Sequence, residues 1–327
     1  MNIINVVSDI NPEIWKRQAQ INGLAEFTRI VFTNKPVPAD TYIFYGTSKG
    51  YFLPNKLAQR IYFVGEPSIL RVNSYHFLKQ FDQVLGVIPR KFLDQNNFKS
   101  TQPALPWHIG IDFSNNDGLV KLNFSEIANL SAPQINAISV ITSDKIISKS
   151  HFTRFRFVQE LSQIMGPELK IYGRGVNPVP DKYEVLSKFR YHLALENSVQ
   201  DDYWSEKLAD PILALNKVFY YGASNVNKYF AKEVVEMIDI NDPQKVAKQI
   251  LESINNNSWE ADLEYIRNAK EKVLLDYNFV TYVGNLRVSS TSKSRKHIHR
   301  DLILTVTRLI RKLYWKITLL LKKSKTN

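Results

Sequence analysis

The stretch Leu193-Ala194-Leu195-Glu196-Asn197-Ser198-Val199-Gln200-Asp201-Asp202-Tyr203-Trp204-Ser205-Glu206-Lys207-Leu208 joins two kinds of pattern. An apolar run with strand character ends in Glu196-Asn197-Ser198, and a helix-compatible segment begins a few residues later. A buried strand passing through a polar loop into a helix is half of a βαβ unit, and open α/β sheets bind ligands at that carboxyl end of the strand. Asp201 or Asp202 is suited to cap the helix, which leaves Tyr203, Glu206 and Lys207 on its first turns and on adjacent parts of one surface. Free N–H groups at such a helix start, with Lys207, favour an anion such as a diphosphate, and Glu206 can accept hydrogen bonds from sugar hydroxyls. The residues alone fit a phosphate-and-sugar site, and they also fit a capped, solvated helix start with an internal Glu–Lys pair.

The same alternation extends in both directions. Strands are predicted at 138–142, 169–172, 191–195, 218–221 and 234–238, with helices near 151–165, 181–188, 203–215 and 243–255. Strand and helix in strict turn imply a mostly parallel sheet. Earlier in the chain, short β-branched and aromatic runs at 3–7, 28–33, 41–45, 60–64 and 83–87 have the continuous apolar character of strands covered on both faces. Between the two series, from about 92 to 135, the pattern fades into Asn, Asp, Ser and Pro, which marks long loops or an interdomain connection. Two α/β domains facing each other leave a cleft.

Composition bounds the function. The 327 residues are 44% hydrophobic and contain no cysteine, which excludes disulfide scaffolds, cysteine–zinc sites and thiol catalysis. The formal net charge of +12 is uneven. Residues 293–327 hold eleven basic side chains against one acid, Asp301, whereas residues 1–292 hold 32 against 30. A near-neutral body gives no support to a nucleic-acid-binding protein, whose footprint is a basic face on the fold itself. The apolar start at 3–7 is too short for a signal peptide or membrane span, so a cytoplasmic protein with a buried first strand is expected. The histidines show no metal-ligand spacing and Asp201-Asp202 suits a cap better than a metal site, so no essential metal and no cofactor are expected.

Glu196-Asn197-Ser198, Asp202-Tyr203 and Ser205-Glu206-Lys207 together resemble the signature of the α1,3/α1,4-fucosyltransferases, glycosyltransferase family 10. Val140-Ile141-Thr142-Ser143 followed by Arg154 and Phe157-Val158 is similar to that family's strand and arginine-bearing helix, and Tyr172-Gly173-Arg174 and Tyr221-Gly222-Ala223 to its glycine turns. Arg60-Ile61-Tyr62-Phe63-Val64-Gly65-Glu66-Pro67, Phe81-Asp82-Gln83-Val84-Leu85-Gly86 and Leu105-Pro106-Trp107 look like its acceptor-side segments. The resemblance implies a GT-B fold of two Rossmann-like domains. Residues 1–125 would bind the acceptor and 135–278 GDP-fucose, with 279–327 a C-terminal segment. It implies inverting transfer of fucose to the 3- or 4-hydroxyl of a GlcNAc- or Glc-type residue in a surface glycan such as lipopolysaccharide O-antigen.

Carried over by position, Glu66 is the catalytic base or a carboxylate against the fucose, and Arg154 and Lys207 bind the diphosphate. Asn197 and Tyr203 donate hydrogen bonds to phosphate or fucose, Glu206 holds the ribose, and Glu196 and Ser198 complete the donor site. The bland alternatives are a loop residue for Glu66 and, for Arg154, one of two arginines with Arg156 on an exposed helix face. The chain departs from the family at Trp204, at Asn216 to Tyr220 and at 231–235, positions expected to adjoin the nucleotide-sugar pocket. Asn216 is suited to the left-handed conformation that ends a helix. A different nucleotide sugar, or a non-catalytic protein that binds a membrane surface, are the alternatives.

The basic tail reads as an amphipathic helix. Leu302, Val306, Leu309, Leu313, Ile317 and Leu320 form one stripe, with Arg308, Arg311, Lys312 and Lys316 opposite and Trp315 at the boundary. Four interior cations argue against a bilayer span. The stripe suits peripheral attachment to the anionic inner face of a membrane, packing on the N-terminal domain, or pairing with another chain as a homodimer.

Overall fold

The computed structural model describes residues 2–19, 28–67, 73–92, 95–104, 106–115, 117–142, 149–286, 293–304 and 306. The tail positions Arg308, Arg311, Lys312, Trp315 and Lys316 lie outside the described residues. Among the described residues no helix is long and apolar enough to cross a membrane.

Chain order begins with β1 (Asn2–Val7), α1 (Pro12–Lys16), β2 (Thr28–Thr33), β3 (Thr41–Tyr45), β4 (Tyr51–Phe52) and β5 (Gln59–Val64). Next come α2 (Tyr75–Leu78), β6 (Gln83–Gly86) and β7 (Phe98–Ser100). Six of these strands form one parallel sheet, ordered β2-β1-β3-β5-β6-β7. Every residue of β3 and β5 is buried, because the sheet is covered on both faces. Tyr42, Phe44, Tyr62 and Val64 enter one core, and Ile43, Tyr45, Ile61 and Phe63 the other, as the two-residue period of a strand requires.

A connecting segment follows, with the short antiparallel pair β8 (Ile111–Asp112) and β9 (Leu119–Val120) and the capped helix α3 (Phe124–Ala128). Buried Arg17, just past α1, ties this segment down by donating to the carbonyls of Trp107, Ile109 (2.7 Å) and Leu122 (3.2 Å).

The second series is β10 (Ile135–Ile141), α4 (Lys149–Met165), β11 (Leu169–Tyr172), α5 (Tyr183–Leu186), β12 (Phe189–Leu195), α6 (Glu206–Leu213), β13 (Lys217–Tyr221) and β14 (Val235–Met237). Its sheet is also all parallel, ordered β11-β10-β12-β13-β14. The chain leaves β10 for β11 on one side and then crosses to β12 on the other. That reversal opens a crevice at the carboxyl ends of β10 and β12, where doubly wound sheets hold ligands.

Helices α7 (Pro243–Asn255), α8 (Ser258–Ala261) and α9 (Leu263–Leu275) follow, and the chain then returns to the first sheet. Helix α10 (Phe279–Gly284) seats Phe279 against Trp15 (4.5 Å between centroids), Tyr45 (5.2 Å) and Phe63 (5.4 Å). Strand β15 (His297–Ile298) pairs antiparallel with β4 and buries Ile298 in the other core.

A candidate active site at the switch point of the second sheet

Strand β12 delivers Glu196 into a fully buried position. Its Oε1 accepts from the Ser205 amide and hydroxyl, both at 2.7 Å, and its Oε2 from the same hydroxyl at 2.9 Å. Burial raises the Glu196 carboxyl, and the nearby Lys207 ammonium opposes that rise. Glu196, expected in the donor site, does not line the cavity there: its oxygens brace the loop that runs to α6.

The helix also starts later than the sequence suggests. Ser205, in extended backbone, is its N-cap and accepts from the Lys207 amide at 3.3 Å, so α6 begins at Glu206 and not near 203. Asp201 and Asp202 are not the N-cap of that helix. Asp201 accepts from the Ser224 hydroxyl, and Asp202 sits at φ +62, a left-handed conformation that Asp tolerates, with its carboxylate on Ser100, Asn225, Lys228 and Tyr229. Tyr203 precedes the helix, and its ring is buried. Burial first, then the charges of Glu196, Glu206 and Glu66, push its phenol far above the usual range.

Arg154 comes from the second turn of α4. Its Nη1 donates to the Leu195 carbonyl at 2.9 Å, and its buried Nε has no hydrogen-bond partner among the described residues. Arg156 faces solvent and pairs with Glu160 at 3.2 Å, so the two arginines are not equivalent. Lys207 Nζ lies 3.0 Å from Glu206 Oε1 and 3.8 Å from Glu196 Oε2. Glu206 also meets Lys182 at 3.7 Å and His108 Nδ1 at 3.9 Å. Burial would raise its carboxyl, but Lys207 and Lys182 outweigh that and hold it well below the usual carboxylate range.

These groups line a cavity of about 320 Å³ at the ends of β10 and β12, with Thr142, Arg154, Asn197, Glu206 and Lys207 on its wall. Ser198 and Tyr203 do not line it, and neither do Trp204, Asn216, Phe219 and Tyr220. The departures at 204 and 216–220 therefore sit behind the pocket. Trp204 packs on Tyr229, Phe230 and Tyr277, and Asn216 donates its side-chain amide to the carbonyls of Leu186 (3.0 Å) and Phe189 (2.5 Å). The left-handed residue after α6 is Leu215, at φ +64, rather than Asn216.

Sequence reasoning missed His108, Lys182, His192 and Asp210. Lys182 contacts the fully buried Asp210 at 2.7 Å, and Asp210 also accepts from the His108 amide at 2.9 Å. His192 shares a 2.9 Å hydrogen bond with Ser139, and burial lowers it to about 3. Positions 28 to 102 residues apart gave no spacing signal.

Glu66 follows β5 at the carboxyl edge of the first sheet and is half-buried. Two phenols register its charge, Tyr45 on β3 and Tyr203 before α6, and both also register Glu206. Glu66 and Glu206 are thus both near Tyr45 and Tyr203, and of the two only Glu206 lines the cavity. Among the described residues no group of three or more His, Asp or Glu is arranged to hold a metal ion.

Residues 136–274 match the family model described as glycosyltransferase family 10 (fucosyltransferase), C-terminal. These residues form a glycosyltransferase family 10 domain. The family 10 domain runs from β10 to the end of α9 and carries Arg154, Asn197, Glu206 and Lys207, while Glu66 lies outside it. A GDP-fucose protein O-fucosyltransferase 3 of Danio rerio is 31% identical over 101 residues, 31% of this chain and 22% of that protein. A 4-galactosyl-N-acetylglucosaminide 3-alpha-L-fucosyltransferase of Pongo pygmaeus is 30% identical over 105 residues, 30% of this chain and 29% of that protein. The matched stretch thus spans less than a third of either relative. A crystal structure of an α1,3-fucosyltransferase with GDP superposes with a TM-score of 0.50 at 17% identity, covering 85% of this chain and 92% of that one. The family 10 domain and the preceding sheet share that α/β fold, of the GT-B type.

Proposed function

We propose that this protein is a fucosyltransferase that moves fucose from GDP-fucose to a hydroxyl of a surface glycan with inversion at the anomeric carbon. The observation that carries the reading is the convergence of Arg154, Asn197, Glu206 and Lys207 on one cavity at the switch point of the family 10 domain. In a direct displacement the acceptor oxygen bonds to C1 of the sugar as the bond from C1 to the diphosphate oxygen breaks. The acceptor's proton passes to Glu66, and the electron pair leaves on GDP. Negative charge grows on the diphosphate, where the Arg154 guanidinium, a group able to bind phosphate in a bidentate manner, and Lys207 stabilise it; preorganised groups of this kind contribute roughly 10²–10³-fold in rate. Glu206, held ionised by its lysines, accepts from the ribose hydroxyls. Fixed cations meet the electrostatic demand, so a divalent ion is not essential to this reading.

The acceptor fits a 3- or 4-hydroxyl of a GlcNAc- or Glc-type residue on a lipid-borne glycan such as O-antigen, met by an enzyme attached to the membrane's inner face. The test is turnover with a panel of nucleotide sugars in chelator, with the product's anomeric configuration read by NMR. GDP-fucose alone should support transfer, and Glu66→Gln should abolish transfer while donor binding persists. Absence of turnover with every nucleotide sugar would sink the proposal, and preference for another donor would leave only the transferase class.

A further inference from the structure

The six most exposed large apolar side chains among the described residues are Leu302 (67%), Leu57 (61%), Phe52 (60%), Leu119 (60%), Ile303 (59%) and Val306 (54%). Five of them, all but Leu119, belong to one strip built from two distant pieces of chain. β4 and β15 pair Phe52 with His297 and Tyr51 with Ile298. Ile298 and Tyr51 turn into the core, so Phe52 and His297, in ring contact at 5.2 Å, turn out. The pairing continues from the Leu53 amide to the Lys296 carbonyl (2.8 Å), the Arg295 amide to the Lys56 carbonyl (2.8 Å) and the Asp301 amide to the Ser48 carbonyl (3.0 Å).

Asp301 pins the point from which the apolar stripe departs. Its buried carboxylate accepts from the Ser74 amide (2.9 Å), the Asn73 side chain (3.3 Å) and the Leu304 amide (3.2 Å). Asp301 is also the only acid in residues 46–57 and 293–306. The exposed charges of the strip are all positive: Lys49, Lys56, Lys293, Lys296 and Arg300, with Lys49 reaching Asp9 at 2.6 Å.

We propose that this strip is a membrane-docking face. Phe52, Leu57, Leu302 and Ile303 enter the headgroup region of an anionic bilayer, and the cations meet lipid phosphates. Apolar contacts rimmed by one sign of charge are what an interfacial surface presents. A second copy of the chain fits worse, because a two-fold contact sets the strip against itself and brings like charges together. Phe52 and Leu57 place part of the face on the body, so it goes beyond attachment by the tail, whose stripe starts at Leu302, and it is independent of donor chemistry. Its Ser48–Asp301 end follows the carboxyl end of β3, the sheet edge that also bears Glu66, while its Leu57 end leads into the amino end of β5. A lipid-borne acceptor would therefore approach Glu66 from the Asp301 end of the strip.

The chain has no cysteine, so Phe52→Cys gives a single labelling site in the full-length protein. Carrying an environment-sensitive NBD dye there, it should brighten and shift to the blue with vesicles of mixed phosphatidylcholine and phosphatidylglycerol, and stay unchanged with phosphatidylcholine alone. The same dye at Tyr265→Cys, exposed on α9, should not respond. Lys49→Glu with Lys56→Glu and Lys296→Glu should weaken vesicle binding by about 10-fold or more, with transfer to a soluble acceptor unchanged. Vesicle binding with a silent dye at position 52 would mean that the tail alone anchors the protein and would overturn the proposal. No binding to mixed vesicles, or a dimer that the charge reversals dissociate, would overturn it too.

Discussion

Ser100 donates its hydroxyl proton to Asp202 across 2.8 Å, and this bond joins the edge strand of the first sheet to the loop that leads into α6. Asp202 is held in turn by Tyr229 at 2.6 Å, Asn225 at 2.9 Å and Lys228 at 3.2 Å. Burial pushes its carboxyl up, but these four donors outweigh burial and hold it at about 2. A depressed carboxyl stabilises the fold above its unfolded pKa and loses that contribution as pH falls toward about 2. Ser100→Ala should cost about 1 kcal/mol and Asp202→Ala about 3 kcal/mol in denaturant unfolding near neutral pH. A double-mutant cycle should return a coupling of at least about 0.5 kcal/mol, and strict additivity would show that the bond does not join the two sheets energetically.

Lys207 and Arg154 should separate under neutral substitution. Both Lys207→Met and Arg154→Met should lower kcat/KM by roughly 10²–10³-fold. Lys207→Met should also destabilise the protein by about 2–3 kcal/mol, because Glu206 and the buried Glu196 lose their shared cation. Glu206 has a depressed carboxyl, so its contribution is present above the unfolded value and disappears in acid. The stability gap between wild type and Lys207→Met should narrow as pH falls below about 4. A gap that does not change with pH would show that Glu206 does not depend on Lys207.

Gly65 precedes the proposed base. A β-carbon there would lie 2.8 Å from the Tyr45 hydroxyl, and that buried ring is fixed by a 2.7 Å hydrogen bond from its hydroxyl to the Pro103 carbonyl. Neither side can yield without moving the end of β5. Gly65→Ala should lower kcat by about 10-fold or more while the donor Kd holds, since the donor groups sit on the other body. An unchanged kcat would remove Glu66 from the chemistry.

His192 should make the fold acid-sensitive. It is buried against Ser139, and burial, then the Lys182 charge, lower it to about 3. An unfolded histidine takes up its proton near pH 6.5, so the unfolded chain binds more protons below that value and stability falls with pH down to about 3. The slope from this residue is at most about 1.4 kcal/mol per pH unit. His192→Gln should flatten the stability curve between those limits, as read by denaturation at a series of pH values.

Both parallel sheets were legible because their strands are apolar on both faces: 41–45 and 60–64 carry no polar face to hide. Two-residue strands carry no such signal, so β4 and β15 were invisible, and so was the return of α10 to the first core. Of the residues that line the cavity, Arg154, Asn197, Glu206 and Lys207 are singled out by local pattern and resemblance. The cap was misplaced because Asp201-Asp202 and Ser205 are equally good cap chemistry, and only the fold shows Ser205 hydrogen-bonded to Glu196. The Lys182–Asp210–His108 group is a product of tertiary packing alone.

The return of α10 and β15 also bears on the order of biosynthesis. Phe279, Val283 and Ile298 complete the two cores of the first sheet, yet they emerge from the ribosome after the whole second sheet. The second sheet, contiguous from β10 to β14 and closed by α9, has all its partners at hand earlier. Structure should therefore consolidate in the later half of the chain first, and the nascent N-terminal half would keep apolar surface uncovered, and chaperone-accessible, until residues near 298 are made.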